Sequence, residues 1–164
     1  MRVRDLTLLG FIAVGLLPGS VFAHGFAVGT IEIVHPFFRA TPPSAKTGAG
    51  YLIVRNTGPE PDRLLAIETE AAERVTFHRT VVEDGLAKML PIEGGLEVPA
   101  RGEYRLGLDG SHAMLEGLTA PIGLGQLIEG TLVFEKAGRI QITFEVEPAG
   151  TTQDDAMAEH GSDH

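Results

Sequence analysis

The dipeptide Asp84-Gly85 lies between two segments of alternating character, residues 74–82 (RVTFHRTVV) and residues 86–92 (LAKMLPI). An Asp-Gly pair so flanked is the strongest short-range hairpin signal, because a two-residue turn that matches strand twist needs positive φ at both positions. A two-residue loop pairs Glu83 with Leu86, and outward from there Thr80 with Met89 and His78 with Pro91. Residues two apart on a strand share a face, so His78, Thr80 and Met89 point one way. His78 and Met89 become diagonal neighbours, with α-carbons about 7–8 Å apart. A four-residue loop keeps that register, whereas a three-residue loop would place the two side chains on opposite faces.

The rest of the chain reads in the same style, with short apolar segments broken by turns. Strands are expected at residues 30–34, 51–56, 63–68, 96–98, 103–108, 112–118, 130–135 and 139–147, besides the two arms of the hairpin. His35-Pro36 should start a corner, residues 39–50 should form a proline- and glycine-rich loop, and the glycine-interrupted stretch 118–125 carries no clear assignment. With 21 glycines and 10 prolines, eight to ten short strands at regular spacing predict an all-β Greek-key sandwich, immunoglobulin-like or cupredoxin-like.

The two ends differ from this middle. Arg2 and Arg4 precede an apolar run from Leu6 to Leu17, and Val21-Phe22-Ala23 closes it, the pattern of an export signal cleaved after Ala23. An uncleaved anchor is the other reading, but the run is shorter than the ~20 residues a span needs. Residues 1–23 are therefore expected to be a signal peptide, 24–150 one domain, and 151–164 a disordered acidic tail bearing Met157, His160 and His164. The expected protein is periplasmic, soluble and monomeric. Lys and Arg number 13 against 22 Asp and Glu, a net charge of -9 that leaves no basic stripe for nucleic acid.

The chain has no cysteine, which removes thiolate from any metal site and with it blue-copper and Cys-rich zinc centres. Once the leader is gone, Met89, Met114 and Met157 are the remaining methionines, each close to a histidine in sequence. His112 and Met114 are two apart, so a strand points both one way, as the hairpin does for His78 and Met89. If the two pairs meet, two imidazoles and two soft thioethers with no carboxylate favour Cu(I) over zinc or iron. A lone methionine in a sandwich more often fills core, and a lone strand histidine more often sits satisfied at the surface. It is the combination, on matched faces of one region, that points to a metal.

The spacing of His78, Met89 and His112-Ala113-Met114 resembles the signature of the periplasmic copper chaperones called PCuAC. The flanks agree: Arg39-Ala40-Thr41-Pro42-Pro43, Gly48-Ala49-Gly50-Tyr51-Leu52, Asn56-Thr57-Gly58 and Gly110-Ser111-His112-Ala113-Met114-Leu115. The likeness spans residues 30–147. It departs from the family in a second gap longer by one residue, which the Glu93-Gly94-Gly95-Leu96 turn can absorb, and in Phe37-Phe38 where tryptophan is common. The resemblance implies a cupredoxin-like sandwich with an exposed Cu(I) site at His78, Met89, His112 and Met114. It also implies delivery to a membrane-bound acceptor such as the CuA centre of cytochrome c oxidase subunit II.

Members of that family with His- and Met-bearing tails imply a second copper, as Cu(II), for Met157, His160 and His164, against the alternative of a merely solubilising tail. His24, first residue after the expected cleavage, could chelate Cu(II) through its amine and imidazole. His35 reads as an ordinary surface or corner residue. Periplasmic copper buffering is a competing function. A small copper oxidoreductase is another, but no base, nucleophile or cofactor motif supports an enzyme.

Overall fold

The computed structural model describes residues 25–107 and 110–152, which form eleven strands and no helix. The expected signal peptide, His24 and the tail residues Met157, His160 and His164 lie outside the described residues. In chain order the strands are β1 (Gly25–Val28), β2 (Ile31–Arg39), β3 (Thr47–Asn56), β4 (Asp62–Glu68), β5 (Ala72–Glu83), β6 (Leu86–Pro91), β7 (Leu96–Val98), β8 (Gly102–Leu106), β9 (Ser111–Leu118), β10 (Leu127–Phe134) and β11 (Arg139–Glu147). Hydrogen bonding runs β6-β5-β9-β3-β2-β11-β10-β4-β7, with β1 beside β2 and β8 beside β3. Every pairing is antiparallel except β11 with β2. The all-β sandwich expected from the sequence is thus the observed fold. Its eleventh strand is β1, which pairs Phe26 with Ile33 ahead of the first expected segment.

The ribbon folds into two layers because each strand buries alternate residues. Phe77, Ala113, Leu115 and Leu52 face Leu64, Leu132, Ile140, Ile142 and Phe144 across one apolar core. Removing this apolar surface from water, at about 25 cal/mol per Å², is what holds a chain without disulfides together.

Two local expectations change. His35-Pro36 does not turn a corner: β2 runs through it with a bulge between Val34 and Phe37. Proline brings no N–H to a ladder, and a bulge is where a strand tolerates that. The bulge also reverses parity, so Phe38 points into the core and Phe37 out of it. His35, at φ 47°, is buried rather than superficial, with Nε2 2.5 Å from Glu147 Oε1.

The second change is that β3 starts at Thr47, not Tyr51. Gly48 and Gly50 are strand residues, and Gly50 serves close approach: a Cβ there would lie 2.7 Å from the Phe38 ring.

Candidate metal centre

The β5–β6 hairpin has the register a two-residue loop predicts: Glu83 faces Leu86, Thr80 faces Met89 and His78 faces Pro91. Asp84 and Gly85 have φ of 52° and 76°, both positive as this turn demands. The other pairing partner of β5 is β9, with His78 opposite His112 and Thr76 opposite Met114. On the far side of β9, Met114 faces Ala49 of β3. His78, Met89, His112 and Met114 therefore all belong to one face of the β6-β5-β9 ribbon, while Phe77, Ala113 and Leu115 hold its other face in the core.

At the centre are the two imidazoles, whose ring centroids are 6.1 Å apart at an interplanar angle of 41°. Metal–imidazole bonds of about 2.0 Å place a shared ion about 3 Å from each centroid. That separation leaves room for one ion between the rings. Met114 flanks the pair from β9 and Met89 from β6, each diagonal to His78. The two thioethers stand on opposite flanks, though, two strands and four residues apart. In a flat sheet their α-carbons would be separated by about 16 Å. His78, His112 and half-buried Met114 are thus gathered on inner strands, whereas Met89, 59% exposed, stands on the edge strand and reaches the pair only if the hairpin curls over it.

The electrostatics suit a neutral donor set. His112 is held below the ordinary histidine value, chiefly by desolvation, helped by the Arg39 charge and by repulsion from the His78 ring when both would be protonated, against a backbone hydrogen bond to Gly110 that favours the charged form. Its neutral, ligating form therefore prevails at neutral pH. His112 Nδ1 faces the Gly110 carbonyl at a long 3.5 Å, so this contact leaves Nε2 unengaged. That same carbonyl accepts the Thr80 N–H at 3.1 Å, which ties the β9 entry to β5. His78 Nδ1 is buried with no hydrogen-bond partner among the described residues, a vacancy that costs about 1–3 kcal/mol and that coordination would fill.

Glu116 continues the β9 row, but Arg74 Nε and Thr76 Oγ1 engage it at 2.9 and 2.7 Å and hold its carboxyl below the usual range. Among the described residues no three His, Asp or Glu side chains gather as a metal site. A centre here would have to use thioether sulfur.

Beyond β9 the same face carries a wall that sequence reasoning assigned no role. Tyr51 stacks on Phe37 at 5.1 Å, and the Arg39 guanidinium lies 4.5 Å above the Tyr51 ring. Arg39 Nε also donates to the Thr151 carbonyl at 2.8 Å, which ties the first residue of the tail segment to β2. Arg39 and Tyr51 belong to the stretches that carry the resemblance, but their place beside the histidines depends on the β2 bulge and on pairings distant in sequence. In the apo protein, the His112 ring should titrate below the ordinary histidine value, and Arg39→Gln should move its midpoint upward by removing a positive neighbour. NMR of the imidazole protons over pH checks both directions.

Known proteins share this geometry's framework. The LpqE-like family model matches residues 31–146. A Leifsonia xyli subsp. xyli protein described as a lipoprotein is 30% identical over 139 residues, covering 81% of this chain and 82% of that one. Among solved structures, the copper-bound PCuAC domain from PmoF2 superposes with a TM-score of 0.65 at 30% identity, over 77% of this chain and 99% of that domain. The solution structure of Cu(I)-bound DR1885 from Deinococcus radiodurans gives 0.55 at 27% identity, over 76% and 81%. The chain belongs to the LpqE-like family, and its domain is of the PCuAC type.

Proposed function

We propose that this protein binds one Cu(I) through His78, His112, Met114 and Met89 and hands it to a copper-accepting protein. The observation that carries the reading is the cross-strand pair His78–His112, 6.1 Å between centroids, with Met114 beside it and the Glu116 carboxylate of the same row engaged by Arg74 and Thr76. Neutral imidazole and thioether donors leave the positive charge of a monovalent ion uncompensated only once, and soft sulfur selects copper in its reduced state. Copper-bound and Cu(I)-bound relatives of the same fold support the choice of ion.

Release follows from the same layout. Three donors sit on inner strands and one on the edge strand, so Met89 is the donor that leaves at least cost, opening a coordination position toward solvent. An incoming ligand of the acceptor takes that position, and the ion moves by stepwise exchange with no change of oxidation state. The CuA centre of cytochrome c oxidase subunit II is the acceptor this reading favours. The activity is transfer of cargo rather than catalysis.

We place the protein outside the cytoplasm, in the periplasm, with residues 1–23 as the export signal. The tail histidines His160 and His164, with Met157, add a weaker Cu(II) site, to which His24 at the mature N-terminus is a further candidate. Truncation after Thr152, which keeps the Thr151 carbonyl for Arg39, should remove one Cu(II) equivalent in calorimetric titration; unchanged Cu(II) stoichiometry would refute the tail site. The function itself is tested by anaerobic titration of Cu(I) against a competing chelator. One tight equivalent per chain is expected, and absence of stoichiometric uptake would defeat the proposal.

A further inference from the structure

The hairpin that carries Met89 is unlike the rest of the surface. Among the described strands β6 ends the hydrogen-bonded path and pairs with β5 alone, and it is exposed at all six positions. Its charges are segregated. On the face shared with the histidines, β5 presents His78, Thr80 and Val82 and β6 presents Ala87, Met89 and Pro91, none of them a carboxylate, ammonium or guanidinium. Arg79, Glu83 and Lys88 all fall on the other face.

Val82, paired with Ala87 beside the turn, is 72% exposed, and Met89, in the middle of the face, is 59% exposed, so this face opens apolar surface to solvent from its middle to the turn. Edge strands are normally guarded by charges on the side that would be approached. Here the guarded side is the one away from the candidate centre.

Four strand spacings from β6, about 19 Å away, the same face ends at Arg39. That guanidinium has no carboxylate partner among the described residues; it donates to a carbonyl and lies over Tyr51. The face therefore runs from an uncharged apolar end at the hairpin, past the histidine pair, to the Arg39 guanidinium at the border with β11, where Glu147 stands in register with Arg39 and bonds His35 instead. A complementary surface is apolar opposite the hairpin and carries an acidic side chain opposite Arg39.

The apolar part comprises the few side chains of one hairpin face, far fewer than the roughly 20–30 residues a side of a stable complex. Contact of that size is transient, as a donor that must let go of its acceptor requires.

We propose that this face, from Val82 and Ala87 on the hairpin to Arg39, is the docking surface for the copper-accepting protein, so that the partner arrives on the strand bearing Met89. The inference rests on the Cu(I) reading above. A partner seated on Ala87 and Pro91 would contact the edge strand itself and bias the hairpin away from the histidines, freeing the exposed ligand as docking occurs.

The test uses the full mature chain loaded with Cu(I), and the soluble copper-binding domain of an oxidase subunit II as acceptor, with transfer followed by stopped-flow. Replacing Val82 and Ala87 by glutamate (V82E/A87E) should slow transfer by at least about tenfold, because two carboxylates would be desolvated without partners. Cu(I) affinity and melting temperature should stay at wild type, since both positions are exposed. Leu86, 66% exposed but on the opposite face, gives the control: Leu86→Glu should transfer at the wild-type rate.

Wild-type rates in V82E/A87E, equal slowing in Leu86→Glu, or no transfer from the wild type to this domain would each overturn the proposal. Sedimentation of the loaded wild type should give a monomer. A dimer abolished by V82E/A87E would overturn it in favour of a second copy as occupant. Failure of the copper reading is seen separately, as a wild type that takes up no Cu(I) at all.

Discussion

Substituting Met114 by leucine should weaken Cu(I) binding by more than about 100-fold, since losing even an outer-shell partner of a metal ligand commonly costs 10–100-fold. Leucine keeps the volume and hydrophobicity of the half-buried side chain but removes the sulfur, so the fold is preserved while the soft donor is lost. Met89→Leu should weaken binding less. Met114 stands on an inner strand between β5 and β3, already placed beside His112, whereas Met89 must be brought in by curling an edge hairpin. A donor that has to be carried to its ion returns part of its bond energy to that rearrangement. The double variant should lose tight binding altogether. Chelator competition with each variant measures this order, and equal losses for the two single variants would contradict the asymmetric arrangement.

Phe38→Ala should be the most damaging single change to the fold. The ring is fully buried and stacks on Phe144 at 4.1 Å between centroids and 10° between planes, joining β2 to β11 through the core. It also fills the space that Gly50 leaves open in β3. Gly50 pairs with Ala113, the residue between His112 and Met114. The cavity would therefore open beneath the strand that carries half of the proposed site. Phe→Ala in a close-packed core costs about 3–5 kcal/mol, which for a domain of this size lowers the melting temperature by on the order of 10–20 °C. Thermal unfolding followed by circular dichroism checks it, and a shift of a degree or two would mean that the ring is not part of the common core. Copper affinity measured well below the melting point should suffer less than in Met114→Leu.

How far the sequence anticipates this arrangement depends on the range of each interaction. Asp84-Gly85 is a local device: two positive φ values fix the loop length, and the loop length fixes the face of His78 and Met89. The strand period does the same for His112 and Met114. The juxtaposition of His78 with His112 is not local, because β5 and β9 are joined through β6, β7 and β8, and no turn signal records which strands will pair. For the same reason the opposite flanks of the two methionines, and the wall of Arg39, Tyr51 and Phe37, emerge only with the three-dimensional register. The bulge at 34–37 was hidden by His35-Pro36, which resembles a corner as readily as a kinked strand. The glycines at 48 and 50 imitate a loop while serving to admit the Phe38 ring.

X-ray absorption at the copper edge of the anaerobically loaded domain tests the central claim most directly. The account predicts a Cu(I) edge with mixed first-shell scattering from two imidazole nitrogens and two thioether sulfurs, and loss of the sulfur shell in the Met89→Leu, Met114→Leu double variant. A first shell of nitrogen and oxygen alone, or a sulfur contribution that survives the double substitution, would contradict it.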